Sequence, residues 1–593
     1  MTTQVLFNGQ VLVRPGAYTK IDASQFQNVV LSGLGIVGLI GEADQGQPRT
    51  VQSFLTPADV KKFYVSGDLV DAADMAANPS NDPRVPTGAQ QIVCYKVNNS
   101  AQSTVTTAPF TWLAKQYGVL TNNIQVAIAI SAPGFVVTIT NLDAFGNLIT
   151  EVSPILGGTG KFSIQYTGTG AAATITTTAT TLTTAVTAPG VADSLTLNFA
   201  DYPTLAQLLQ ALAANGKYTV TSLVTNSNSF ASNQIDLQSA VDIKAAPLVV
   251  TAKNADISNW VNANSQQVTN TFTLATAAFV GPLLTTQLVG GTRGTSANAD
   301  WAAGFTALST VRINQMIPLA SLDGTTAQGT FTIVSVLAAL VAYAKQASST
   351  AGQNEVQGWA GINMIKANLI AQANLQNSEH LVLFGEKPQR VRTSDGAVVF
   401  FPEWATAVIA AGMRAGAPLG EPLTWKYANV LGVSSDSSWS EQSNSDVVSM
   451  ELNGVTVLNT VRGRGFRFDK VITTYTKSNN DAYTEETIVQ IWKLVAFNLR
   501  SALQDAFVGR GGTVQRVSTT PAVIANVLQP LKDAGAITDS IVNGQRLNAW
   551  RNVVWNLSGD TLTITVVVTP TPGINYVLTT IVLVPAQISG AAA

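Results

Sequence analysis

Apolar side chains recur every three or four residues across 300–311, 331–344, 363–373 and 404–415, and short apolar runs at 316–320 and 380–384 alternate with them. A helical period interrupted by short, wholly apolar runs predicts an α/β layer with crossover helices. Nearer the start, Val5, Phe7, Val11 and Val13 occupy odd positions, with a turn at Asn8-Gly9 and a stop at Pro15-Gly16. Residues 1–22 therefore read as an extended arm that needs a partner. Apolar residues and glycines alternate through 29–43, and Thr56-Pro57-Ala58-Asp59 opens a short helix through Tyr64, with Pro57 where a first turn tolerates it.

From about 97 to 288 the texture changes: Lys115 is the only basic residue between Lys96 and Lys161, and Thr, Ala, Val and Gly abound. Mostly β-strand is expected here, as one or two inserted domains. The run 174–187 reads either as disordered low complexity or as solvent-facing strands. Its β-branched residues, broken by Ile175, Leu182 and Val186, fit strands better. Beyond Ser449, strands are expected at 454–458 and 467–474, followed by a long helix over 484–507. Ile488, Ile491, Val495, Leu499, Leu503 and Phe507 keep helical spacing, Glu485 and Glu486 favour the positive end of its dipole, and Gly509 ends it. A second helical segment from Thr520-Pro521 is expected to kink at Pro530 and stop at Gly535. Strands at 561–569 and 576–584 close the chain.

Composition changes the picture in one respect. Charged residues make up only 11% of 593 residues, with 46% hydrophobic; ordinary soluble chains are roughly a quarter charged. Thr, Ser, Asn, Gln, Ala and Gly replace the missing charge, which suits a surface covered by copies of itself. The net charge of -2, without a basic stripe, argues against direct nucleic-acid binding. No signal-peptide pattern opens the chain, so cytosolic synthesis is expected. The longest apolar stretch in a helical pattern, 336–344, is far shorter than the roughly 20 residues that span a bilayer, and no membrane insertion is expected.

Candidate chemistry is sparse. Gly33, Gly35 and Gly38 match a dinucleotide fingerprint, but Gly41, Gly46 and Pro48 leave no room for the helix that would face a pyrophosphate; close packing of a strand is the better reading. Near Gly160-Lys161, Phe162 stands where a P-loop needs Ser or Thr. His380 is the single histidine and Cys94 the single cysteine, which excludes multi-histidine metal sites and internal disulfides. Both read as structural. No catalytic residue, metal or cofactor is expected, and the chain reads as not an enzyme. Arg462, Arg464 and Arg467 resemble an RNA-binding tract, although arginines on a strand edge of a near-neutral chain more often bridge subunits.

Several stretches, taken in order, resemble the contractile tail sheath proteins of phages, nearest to the sheath class of Mu-like phages. Residues 13–18, Val-Arg-Pro-Gly-Ala-Tyr, resemble the family's start, and 36–43 its first core strand. Gly290-Gly291 followed by Trp301 and Leu308 resembles the entry to the middle layer. The most specific stretch is 471–476, Val-Ile-Thr-Thr-Tyr-Thr, before the long helix; the final strands around Pro572 resemble the terminal pair. Residues 97–288 lie outside the resemblance, apart from a weak likeness of 114–126 to a peripheral domain.

The expected fold is therefore α/β and α+β multidomain: an α/β sheath core with a β-rich inserted outer domain and extended terminal arms. The expected segments are 1–22 (linking arm), 23–96 (first part of the core), 97–288 (insertion), 289–448 (α/β middle core), 449–574 (C-terminal, tube-facing) and 575–593 (linking strand and tail). The resemblance implies a subunit that stacks in helical rings around an inner tail tube protein, meets baseplate and tail terminator proteins, contracts, and resides in the virion tail. Another β-rich self-assembling protein, such as a surface-layer or tail-spike subunit, is the alternative. Val5, Phe7, Val11, Val13, Tyr576, Leu578, Ile581 and Leu583 are the expected inter-subunit arm residues. On the long helix, Glu486, Gln490, Lys493, Arg500 and Gln504 are expected to form a polar face toward the tube.

Overall fold

The computed structural model describes residues 5–7, 10–12, 33–143, 146–272, 282–325, 327–478 and 480–575, the first two segments as backbone only. These segments are the strands β1 (Val5–Phe7) and β2 (Gln10–Leu12), which pair antiparallel with Val5 opposite Leu12.

By internal contacts the chain divides into a larger unit, residues 34–417, 422–489 and 575–593, and a smaller one, residues 1–33, 418–421 and 490–574. The larger unit is organised by a six-stranded sheet made of β3 (Ile36–Gly41), β4 (Val51–Phe54), β5 (Gln91–Lys96), β6 (Gln315–Pro318), β7 (Gln357–Gly361) and β8 (Leu381–Phe384), in the order β8-β7-β6-β3-β5-β4. All neighbours are parallel except β4, which runs antiparallel on β5. Parallel strands need crossovers, and helices supply them on both faces. On one face α1 (Pro57–Tyr64) and α2 (Asp68–Ala77) share a core with Val37, Leu39, Ile92, Cys94 and Phe384. On the other, α3 (Asn298–Leu308), α4 (Ile333–Ala347) and α5 (Lys366–Gln376) cover Ile40, Val93, Met316 and Leu383. The helix α6 (Trp404–Gly416), buried along its whole length, completes the first face.

This is the α/β layer the periodicity predicts, with helix boundaries displaced by two or three residues at most starts. The glycines of the false dinucleotide motif have a packing explanation. A Cβ on Gly38 would lie 2.9 Å from the Ile313 side chain, and one on Gly41 2.6 Å from Leu319. The alternating pattern did not disclose α2, because its mainly small and acidic residues, Asp-Leu-Val-Asp-Ala-Ala-Asp-Met-Ala-Ala, are buried on nearly every side.

The insertion holds two apolar cores. One lies under a four-stranded antiparallel sheet (148–152, 134–142, 125–131, 283–287) and a three-stranded one (268–272, 110–114, 104–107). The other joins 196–198, 181–186, 173–177 and 238–242 to the sheet 218–222, 162–166 and 248–250. Residues 174–187 are strands, but half of this segment points inward: Ile175, Thr177, Leu182 and Thr184 are buried. The helices Leu205–Ala214 and Lys253–Asn264 were not anticipated in a stretch read as mostly strand. At the neck, where the insertion leaves and rejoins the sheet, the fully buried Lys96 donates to the carbonyls of Gln45 and Gly46 and to Ser100 Oγ. Asn98 ties Ala43 O to Arg293 O, at 2.9 and 2.7 Å. Burial pulls the Lys96 ammonium down to about 7.

The hairpin β9 (Leu458–Val461) and β10 (Gly465–Phe468) follows the sheet, then α7 (Glu486–Phe507) and α8 (Thr520–Asp533). The expected strands at 454–458 and 467–474 are thus replaced by a hairpin whose turn lies at Gly463. Pro530 sits inside α8, and Gly535 follows at φ 82°, the left-handed conformation that ends a helix. The smaller unit contains α8, α7 from Gln490 onward, a short hairpin (Ser540–Val542 with Gln545–Leu547), and the longer hairpin β11 (Trp550–Ser558) with β12 (Thr561–Val568). The expected strand at 561–569 is β12, but its partner is the preceding β11; residues 576–584 lie outside the described residues. Among the described residues no helix is long and apolar enough to cross a membrane.

Candidate assembly interface

The stretch singled out at 471–476 is a junction between the sheet and the long helix. Thr474 N donates to Leu381 O of β8 at 2.9 Å, and its hydroxyl donates to Ser378 O at 3.1 Å. Thr473 Oγ1 donates to Tyr483 O at 2.6 Å while its N–H donates to Thr484 O at 2.9 Å. Ile472 bridges Glu485, which holds Glu485 in extended backbone and so delays α7 to Glu486. Two threonines at this point satisfy main-chain groups that a β-turn or a helix start would otherwise leave open.

Glu485 and Glu486 are not exposed dipole partners. Glu486 is fully buried with Arg414 of α6, Nε to Oε1 at 3.1 Å, and Arg414 also donates to Thr487 Oγ1 at 3.2 Å. Glu485 lies 3.5 Å from Lys470 Nζ and accepts from Asn575 Nδ2 at 3.1 Å; Thr424 donates to Asn575 Oδ1 at 3.1 Å. Burial raises the Glu485 carboxyl, with Lys470 and Asn575 working against it. The last described residue of the chain is therefore held by two side chains of the larger unit.

The predicted polar face of α7 requires correction. Glu486, Gln490 and Lys493 are buried at 0%, 2% and 2% exposure, Arg500 is half-buried, and only Gln504 is exposed. Residues 485–491 are buried on every side, so the start of the helix has no outer face, and a stripe drawn from apolar spacing alone misplaces its opposite side. Of the expected arm residues, Val5 and Phe7 lie on β1 and Val11 on β2; Val13, Tyr576, Leu578, Ile581 and Leu583 lie outside the described residues.

The hairpin β11–β12 was not among the expected sites. Among the described residues it is two-stranded, with Trp555 opposite Ile564 and Leu557 opposite Leu562 on one face, and Val554 opposite Thr565 and Asn556 opposite Thr563 on the other. The second face is exposed, Val554 at 62%, and carries no charge between 554 and 558 or between 561 and 568. A two-stranded ribbon of this kind is marginal alone and presents unpaired main-chain groups along its edges. The signal was present as alternating apolar residues at 553, 555, 557 and 562, 564, 566 around Gly559-Asp560.

His380 is buried beside Glu379, Nε2 to Oε1 at 3.5 Å, at the entry to β8, and Cys94 is buried in β5 with its thiol pushed up by burial. Among the described residues no group of three or more His, Cys, Asp or Glu is placed to hold a metal ion.

No protein-family model matches the chain. It is 25% identical over 533 residues, 88% of this chain and 89% of the relative, to the tail sheath protein of Bacillus phage SP01. Against the tail sheath protein of Staphylococcus phage Twort it is 22% identical over 562 residues, covering 88% of this chain and 90% of that one. Along nearly nine tenths of its length the chain is thus similar, at a distance, to phage tail sheath proteins. In fold, the chain is similar to the sheath tail protein from Desulfitobacterium hafniense, with a TM-score of 0.53, 14% identity and coverage of 94% of this chain and 97% of the other. The relatives support the family and do not bear on the Mu-like class within it.

Proposed function

We propose that this chain is the subunit that polymerises helically around the tail tube of a contractile phage tail and drives the tube through the host envelope when it contracts. The observation that carries the reading is the hairpin β11–β12, a ribbon whose edges are unpaired among the described residues and whose face is uncharged, in a chain similar to tail sheath proteins. Strand addition to such an edge is directional and hard to slip, because main-chain hydrogen bonds set its register. The terminal segments of neighbouring copies, with their alternating apolar positions at 5, 7, 11 and 13 and at 576, 578, 581 and 583, are the strands that would fill it. The bodies could then slide and rotate while the links hold. The insertion 97–288 would lie outside the cylinder. A tube contact through α7 would rest on Gln504 and Arg500, not on Glu486, Gln490 or Lys493.

Electron microscopy of truncated chains tests this. Deleting residues 1–14, or everything after Thr579, should leave a folded monomer that no longer forms cylinders. Normal polymers from either truncation would remove strand exchange as the link. Replacing Arg500 with Glu should impair assembly on the tube while tube-free polymers persist.

A further inference from the structure

The Arg-Gly-Arg-Gly-Phe-Arg tract remains outside the strand-exchange reading. It forms the turn of β9–β10, with Arg462 and Arg464 exposed at the tip. Among the described residues neither side chain has an ion-pair or hydrogen-bond partner. In a chain only 11% charged, two such guanidinium groups on one turn are a conspicuous excess. At the other end of β10 from that turn, Trp425 is 53% exposed at φ 60°, a conformation costly for a bulky side chain. It is held there because its N–H donates to Phe468 O at 2.8 Å, its carbonyl accepts from Arg84 Nη2 at 2.8 Å, and Arg467 lies 4.0 Å over its ring. Exposed Trp with Arg is the composition of an interface anchor.

The complementary surface is at the other end of α2. A cleft of about 410 Å³ is lined by Asp44, Asp68 and Asp71, by Arg293 and Arg392, and by apolar residues around Phe400. Its cations are already engaged. Arg293 pairs with Glu42 and Asp44, each at 3.0 Å, and Arg392 pairs with Asp395 at 2.5 Å. Asp71 accepts from Thr393 N and Oγ1. Asp68 accepts no hydrogen bond among the described residues, and the cleft keeps an excess of carboxylate. Burial pushes Asp68 up to about 7, which a second cation would reverse.

Asp68 begins α2, a helix about 15 Å long at 1.5 Å per residue. The chain beyond its far end leads through the Ser80–Ala428 bridge and the Asp82–Tyr427 hydrogen bond to the Tyr427–Arg467 bridge beside the hairpin. Donor and acceptor surfaces at opposite ends of one element make a head-to-tail contact, the heterologous kind that generates rings and helices.

We propose that the Arg462–Arg464 turn of one copy docks into the Asp68 cleft of a second copy, with Trp425 farther along the same hairpin extending the contact. The contact would be additional to strand exchange, although it rests on the reading that the chain polymerises. Being electrostatic at its rim, it would weaken with salt.

The test uses full-length chains and sedimentation at two salt concentrations, with circular dichroism to confirm folding. R462E/R464E should self-associate about tenfold more weakly than the unaltered chain, since like charges would then face each other. Asp68→Lys should do the same. A 1:1 mixture of the two variants should recover association, because each reversed surface then meets its complement. If R462E/R464E polymerises normally, or if the mixture fails to recover while both variants are folded, the contact is wrong and strand exchange is untouched. If the unaltered chain never self-associates, both readings fall. Arginine-dependent retention of duplex DNA by the unaltered chain, without any effect on polymers, would overturn the contact in favour of nucleic acid.

Discussion

The six-stranded sheet and the β11–β12 hairpin solve the same problem, the pairing of exposed strands, in opposite ways. In the sheet, helices cover both faces, and the edge at β8 is capped by main-chain hydrogen bonds from Thr456 and Thr474. In the smaller unit, Val508, Val514, Ile541 and Val554 are 72%, 83%, 77% and 62% exposed, and among the described residues the ribbon has two strands. The sheet region buries its strands within the chain; on the proposed reading, the ribbon is completed by another chain. That reading assigns stability and assembly to different parts of one polypeptide.

The largest expected effect lies in the closed region. Replacing Glu486 with Ala leaves Arg414 buried without its carboxylate, and should cost about 3–5 kcal/mol in denaturant unfolding. The paired change of Arg414→Met with Glu486→Leu should recover most of that loss. Next is the apolar core: Ile92→Ala, fully buried between the helix layers, should cost about 2–5 kcal/mol. By contrast Val554→Ala on the ribbon should leave monomer stability within about 0.5 kcal/mol and act on cylinder formation. A Val554 variant that unfolds the monomer would erase the contrast between the two regions.

A smaller effect depends on pH. Glu386, fully buried, accepts from the N–H groups of Gly385 at 3.2 Å and Leu458 at 3.1 Å, and burial still pushes its carboxyl up to about 8. Because the folded value is above the ordinary one near 4.5, the folded state binds the proton more tightly. Its contribution is full below pH 4.5 and is lost as pH rises toward 8, at up to about 1.4 kcal/mol per pH unit. Glu386→Gln should remove that slope from the pH dependence of unfolding. If the slope survives, the carboxyl is ionised in the folded protein.

Legibility followed the reach of each interaction. Helices α3 to α6 and strands β6 and β8 were readable because their apolar spacing reports a local period. The helix α2 was not, since burial on nearly every side leaves no period to read. The polar face of α7 failed for a related reason. Spacing identifies an apolar stripe but does not say what covers its opposite side, and the structure covers Glu486 with Arg414 of α6, 72 positions earlier.

The order of helical and strand periods, the poverty of charge and the single His and Cys were determined by the sequence alone. They sufficed for the α/β layer and for the expectation of a structural role; the resemblance to sheath proteins came from particular stretches, 471–476 above all. The tertiary structure alone decided which charges are spent internally and which remain. Lys493 is buried while Arg462 and Arg464 stand open on a turn, and Asp68 faces a cleft whose other charges are already paired. The reason is that a charge's role depends on the solvent and partners around it, and those are set by contacts between residues tens to hundreds of positions apart.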